Sequence, residues 1–171
     1  MTHRGLDERQ FFMDDGLLYG TPLAIKWSLD LMKSLEPICG LKLKYVKMSV
    51  YAPTSTSARL CRELLPDELK VHEDENLNFV YLKTPIGSDE FVEDYLEKKL
   101  TRLRKEIQML TEMNHLHECF TLLRSCSSAC KVTHLMRTVP PKQLQKFLSG
   151  FDLELTKAME KILRHDLNEE Q

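Results

Sequence analysis

Two adjacent aspartates, Asp14 and Asp15, are the residues of this chain best suited to do chemistry. They lie between two apolar runs, Phe11-Phe12-Met13 and Leu17-Leu18-Tyr19, and Gly16 follows directly. Neighbouring carboxylates at a hairpin tip are hard oxygen ligands on a rigid base, an arrangement that suits a divalent cation such as Mg²⁺. Asp-Asp-Gly also makes a plain tight turn, because these residues tolerate the backbone angles that turns require. The apolar flanks favour the functional reading, since they set two charges at the edge of a buried sheet.

Two other groupings qualify. Lys98, Lys99, Arg102, Arg104 and Lys105 crowd one short stretch, with Lys131, Arg137, Lys142 and Lys146 downstream. Such a run would neutralise phosphates. It would equally form a solvated helix face, because Glu93, Asp94, Glu97 and Glu106 stand at pairing distance along a helix. His115, His117 and Cys119, with Cys126 and Cys130, could be drawn as a zinc site, but their spacings differ from those of standard structural sites. The cysteines, like Trp27, read more simply as core residues. There is no glycine-rich phosphate loop and no Ser, His and Asp grouping in a nucleophile context.

The elements that must position these residues follow from periodicity. Asp14-Asp15-Gly16 joins two short strands as a hairpin. Thr21-Pro22 then caps a helix over about 22–36, with Leu23, Trp27, Leu31 and Leu35 as its apolar stripe and Pro37 with Gly40 at its end. Leu41-Leu43-Tyr45 and Met48-Val50 alternate as strands, Ala58–Leu65 is a short helix, and Leu69-Val71 and Phe79-Leu82 are two more strands. From Ser88 the texture is helical. Phe91, Tyr95, Leu96, Leu100, Leu103, Ile107 and Leu110 predict one long helix, followed by helices near 116–125, 127–137, 141–148 and 151–165. The expected fold class is α+β, with residues 1–87 forming a small antiparallel sheet with one packed helix and residues 88–171 all helical.

The bulk properties bound the function. The chain has 171 residues, 42% of them hydrophobic, and a formal charge of −2. With a sequence pI near 6.3, it lacks the basic footprint of a free-standing nucleic-acid binder, so a polyanion would have to meet a local patch. Five cysteines without a Cys-x-x-Cys pair imply a reducing intracellular setting, cytoplasmic or nuclear. No apolar run approaches a membrane span.

Phe12-Met13-Asp14-Asp15 resembles the aromatic-x-Asp-Asp signature of reverse transcriptases of non-LTR retroelements. The resemblance continues in order. Gly40-Leu41-Lys42-Leu43-Lys44-Tyr45-Val46-Lys47 is similar to the next palm motif, and Tyr81-Leu82-Lys83-Thr84-Pro85-Ile86-Gly87 to the primer-grip hairpin that ends the palm. Leu122-Leu123-Arg124-Ser125-Cys126 and Leu135-Met136-Arg137-Thr138-Val139-Pro140-Pro141 look like the helical region beyond it. The resemblance spans about residues 10–152, with Lys44 where related elements commonly carry asparagine and Lys83 where they commonly carry glycine.

The resemblance implies a partial polymerase palm followed by a helical thumb-like region. Asp14 and Asp15 would be the catalytic metal ligands for Mg²⁺ or Mn²⁺, and Lys47 would stand near the leaving pyrophosphate. Lys98, Lys99, Arg102, Arg104 and Lys105 would face an RNA or DNA template–primer. A further aspartate and the fingers would come from sequence before Gln10, for which residues 1–9 are too short. The expectation is a truncated reverse transcriptase fragment, inactive in polymerisation alone and open to a complementing palm or fingers segment. The alternatives are a domesticated module that binds nucleic acid or protein, and an unrelated α+β protein with a fortuitous turn.

Overall fold

The computed structural model describes residues 6–12 and 15–163. The chain divides into two compact units, Met1–Leu82 and Lys83–Gln171, and is mixed α+β. No helix among the described residues is long and apolar enough to cross a membrane.

The first unit opens with β1 (Leu6–Phe12) and β2 (Asp15–Gly20), paired antiparallel. Phe12 lies opposite Asp15, so Asp15 and Gly16 belong to the strand and not to the turn expected for them. Phe11 faces Gly16 and Arg9 faces Leu18, which puts these four on one face, and Leu18 packs into the core. Asp15, Leu17 and Tyr19 share the other face. The Phe11 ring lies across Gly16, where a Cβ would come within 2.7 Å of it.

Helix α1 (Pro22–Cys39) starts as its residues dictate: Thr21 Oγ1 accepts from the Ala24 amide at 3.3 Å, and proline stands in the first turn. Pro37 does not end it. The helix runs on to Cys39 and closes at Gly40 with φ of 69°, a left-handed cap that glycine adopts without strain. The expected core stripe is also reversed. Ser28 and Leu29 are the buried positions, with Ile25 packed beside them, whereas Leu23, Trp27, Leu31 and Leu35 are exposed.

Leu41–Tyr45 is not a strand. The Leu43 amide donates to the Glu36 carboxylate at 2.7 Å, and a 3-10 turn, Tyr45–Lys47, follows. With the Leu43 donor satisfied locally, no sheet neighbour is recruited. Strand β3 (Ser49–Ala52) then pairs with β4 (Lys70–Glu73) in parallel, which corrects the antiparallel expectation. The cause is α2 (Ser55–Leu64), a crossover long enough to return the chain in the same direction. It is fixed by a capping box between Thr54 and Ser57. Tyr51 stacks on His72 across this pair at 5.0 Å. Leu29, Cys61, Leu65 and Leu69 make the buried core.

Strands β5 (Phe79–Tyr81) and β6 (Thr84–Ile86) form a two-stranded hairpin, and the division between the units falls within its turn. The described strands thus make three separate pairs and not one sheet.

The second unit contains α3 (Asp89–Thr111), α4 (Leu116–Cys126), α5 (Thr133–Thr138) and α6 (Pro141–Leu163). Ser88 caps α3, and Asp89 and Glu90 sit in its first turn, where the helix dipole favours carboxylates. Its core is continuous, from Val92, Leu96, Leu100, Leu103 and Ile107 to Leu135, Leu144, Phe147 and Phe151. The expected helix over 127–137 is instead a 3-10 turn, Ala129–Lys131, followed by the shorter α5. Cys61 and Cys119 are buried as read, but Cys39, Cys126 and Cys130 are exposed.

The two helices expected over 141–165 are one, because Gly150 does not break α6. A Cβ at Gly150 would lie 2.8 Å from Leu100 Cδ2, so the missing side chain lets α6 approach α3. Gly150→Ala is expected to destabilise this unit by about 1–2 kcal/mol. The overpacking against Leu100 outweighs the roughly 1 kcal/mol of helix propensity that alanine adds. Thermal denaturation followed by circular dichroism would show a lower midpoint; an unchanged or higher one would mean that Leu100 yields freely.

Candidate functional site

Three sets of expected site residues can be located. Asp15 is exposed at the head of β2, on the hairpin face shared with Leu17 and Tyr19. Asp14 lies outside the described residues. Lys47 ends the 3-10 turn before β3 and is exposed. Among the described residues, no hydrogen bond or ion pair joins Asp15 to Lys47. The carboxylate of Asp15 is the oxygen donor that Mg²⁺ or Mn²⁺ would take, but the described residues contain no group of three potential ligands. The same holds for His115, His117 and Cys119, which are not gathered into such a group among the described residues.

The turn of the β5–β6 hairpin has an uncommon backbone. Leu82 and Lys83 have φ of 48° and 64°, and the Tyr95 hydroxyl donates to the Lys83 carbonyl at 3.1 Å. Two successive positive angles match the tight turns that fit the twist of paired strands, where Asn and Gly are favoured. A branched or long side chain is strained there.

The five basic residues of α3 do not act as one patch. Lys98 donates to Asp94 at 2.6 Å, and Arg104 turns to Glu154 at 3.3 Å, with Glu97 at 3.6 Å. Lys105 is exposed on the side away from the core. Lys99, Arg102 and Glu106 share one helix face. Glu106 bridges Arg102 at 3.2 Å and Lys131 at 2.9 Å, the latter arriving from the 3-10 turn Ala129–Lys131. The hydrogen bond from Lys131 is the largest cause that holds the Glu106 carboxyl below its usual range. Lys99 is half-buried, and its ammonium is pushed down first by burial and then by the cations of Arg102 and Lys83, with an opposing pull from Glu106 and a smaller push from Lys131.

The structure therefore joins Arg102 and Lys131 through the Glu106 carboxylate, with Lys99 on the same helix face and the Lys83 carbonyl held by Tyr95 one turn earlier. Of these, Lys131 was read only as a downstream member of the basic grouping, and Lys83 was not read as a site residue. Only their folded positions bring them to α3, although Tyr95, one turn before Lys99, is the kind of anchor that could have drawn attention to the turn. Comparison of the chain with protein-family models, curated proteins and solved structures finds no match.

Proposed function

We propose that this chain is the carboxy-terminal palm and thumb-like portion of an RNA-directed DNA polymerase of the non-LTR retroelement type, unable to polymerise alone. The observation that carries this reading is the register of the first hairpin, Phe12 opposite Asp15. Phe12 at the end of one strand and Asp15 at the head of its antiparallel partner are the first and last residues of the aromatic-x-Asp-Asp resemblance. Further support comes from the second hairpin, where Lys83 has a φ of 64° at the position that the resembled primer grip commonly gives to glycine.

Asp14 and Asp15 would hold Mg²⁺ together with an aspartate from a complementing palm segment, and Lys47 would offset charge on the leaving pyrophosphate. The exposed apolar face of α1 supports dependence on such a segment. Primer extension on an RNA template with Mg²⁺ tests the reading. The chain alone is compared with one joined to the segment encoded immediately upstream, each with and without Asp14→Asn. Extension is expected only from the joined form. Asp14→Asn should lower it by more than the ~10–100-fold typical of losing a metal site's supporting groups. Extension by the short chain, or by the joined Asp14→Asn form, would sink the proposal.

A second reading, a binding module for nucleic acid housed in Lys83–Gln171, is favoured by the gathering of Lys99, Arg102 and Lys131 around a lone carboxylate. It expects salt-sensitive duplex binding that disappears when Lys98, Lys99 and Arg102 become glutamate.

A further inference from the structure

We propose that α1 pairs with α1 of a second copy of this chain, antiparallel and about a two-fold axis through Leu31. Leu23, Trp27, Leu31, Leu35 and Ile38 are exposed on one side of the helix, away from Ile25 and Leu29, which face the core. At about 100° per residue these five fall within roughly a third of the helix surface, with Ala24 and Ser34 between them and no charged residue in the sector.

The pattern of the stripe identifies the occupant. Leu23 and Trp27 precede Leu31 by eight and four positions, and Leu35 and Ile38 follow it by four and seven. The stripe therefore reads nearly alike from either end. An antiparallel two-fold contact requires such a pattern, because residue i meets residue j while j meets i. Leu31 is set against itself, Trp27 toward Ser34 and Leu35 of the second copy, and Leu23 and Ala24 toward its Ile38. Large side chains thereby meet small ones, and rows of four-residue spacing interlock at the commonest helix crossing, about −50°. A parallel pair would instead oppose Trp27 to Trp27. The Ser34 hydroxyl donates to the Leu31 carbonyl at 2.7 Å, so it can be covered without losing a partner.

The extent of the face agrees. Its side chains present on the order of 500 Å², so two copies would cover about 1,000 Å², where specific interfaces begin. A weak dimer follows. It is closed, because an isologous contact uses the same face on both chains.

The pairing does not depend on the polymerase reading, but it claims the face assigned there to a complementing palm segment. The joined form is therefore expected to be monomeric. A joined form that still pairs through α1 would support the dimer and remove that role for the segment, so pairing and primer extension fail separately.

The test dilutes the full chain in light scattering while recording emission from Trp27, the only tryptophan. With rising concentration the mass is expected to climb from one chain of 20.0 kDa and level at two. The emission should shift to the blue in step, as the indole is covered. Leu31→Glu, which opposes two carboxylates on the axis, should weaken association by roughly tenfold or more. Its far-ultraviolet circular dichroism should be unchanged, which separates lost pairing from lost folding. Orientation is read by oxidative cross-linking in a chain whose exposed Cys39, Cys126 and Cys130 are replaced by serine. Leu31→Cys should link to itself, and Leu23→Cys should not, since antiparallel copies of position 23 stand roughly 24 Å apart. A mass that stays at one chain, or that passes two without levelling, overturns the proposal. Self-linkage at position 23 also overturns it, by showing a parallel pair.

Discussion

Replacing Phe151 with alanine is expected to lower the unfolding free energy of the Lys83–Gln171 unit by about 3–5 kcal/mol. Phe151 is 1% exposed and its ring lies parallel to that of Phe147, with centroids 6.4 Å apart. It sits in the continuous cluster that joins α3 to α6, where Leu100, Leu144 and Ala158 are also buried. The side chains around it belong to helices already held close by Gly150, so they have little freedom to collapse into the space left behind. A domain has only about 5–15 kcal/mol of stability, so the change would leave this unit marginal. Urea denaturation followed by circular dichroism should show a lower midpoint with an unchanged slope. The only tryptophan, Trp27, lies on α1 of the other unit, so its fluorescence gives a separate signal. A loss below 1 kcal/mol would mean that the core around Phe151 is loose.

The second large effect concerns association. Leu23, Trp27, Leu31, Leu35 and Ile38 are 66%, 46%, 42%, 40% and 79% exposed along one helix. Ile25 and Leu29 of the same helix face the core, so α1 is apolar on two sides. A helix of that kind is ordinarily covered on both. An exposed stripe of on the order of 500 Å² is at the upper end of what a lone protein carries. The purified chain is therefore expected to associate, with a light-scattering mass that rises with concentration above 20.0 kDa. Leu23→Glu with Leu31→Glu should return it to the mass of one chain. Glutamate is a good helix former and both positions face water, so α1 itself should persist. A wild-type chain that stays monomeric across the concentration range would remove the expectation, and with it the support that α1 lends to a complementing segment.

How far this structure was legible depended on whether the deciding interaction was local. Thr21-Pro22 and Ser88 with Asp89 and Glu90 are start signals that act within one turn, and α1 and α3 begin where those residues predict. Pro37 and Gly150 carried the opposite lesson. Proline in a last turn forfeits little that the helix end had not already lost, and Gly150 answers to Leu100, fifty positions away. Alternation at Leu41–Tyr45 looked like a strand because the competing acceptor, Glu36, belongs to the preceding helix. The stripe on α1 was correctly read as apolar and assigned to the wrong side, since periodicity identifies a face but not what lies against it. At the candidate site, Lys99 and Arg102 were visible as a basic run. Their separation from Lys98 and Arg104 depended on Asp94 and Glu154, and the link from Arg102 through Glu106 to Lys131 was set by tertiary structure alone.

The parallel pairing of β3 with β4 has a consequence for the order of assembly. The β1–β2 hairpin connects neighbouring strands and forms on the scale of about 1–10 μs. Strand β4 cannot join β3 until α2 has carried the chain back, a non-local step that closes later. During synthesis the hairpin thus exists before the core of Leu29, Cys61, Leu65 and Leu69 can assemble beside it. Among the described residues, both its outer edges remain unpaired in the finished fold. An unpaired strand edge is open to another polypeptide, so capture of β1 or β2 competes with assembly of that core.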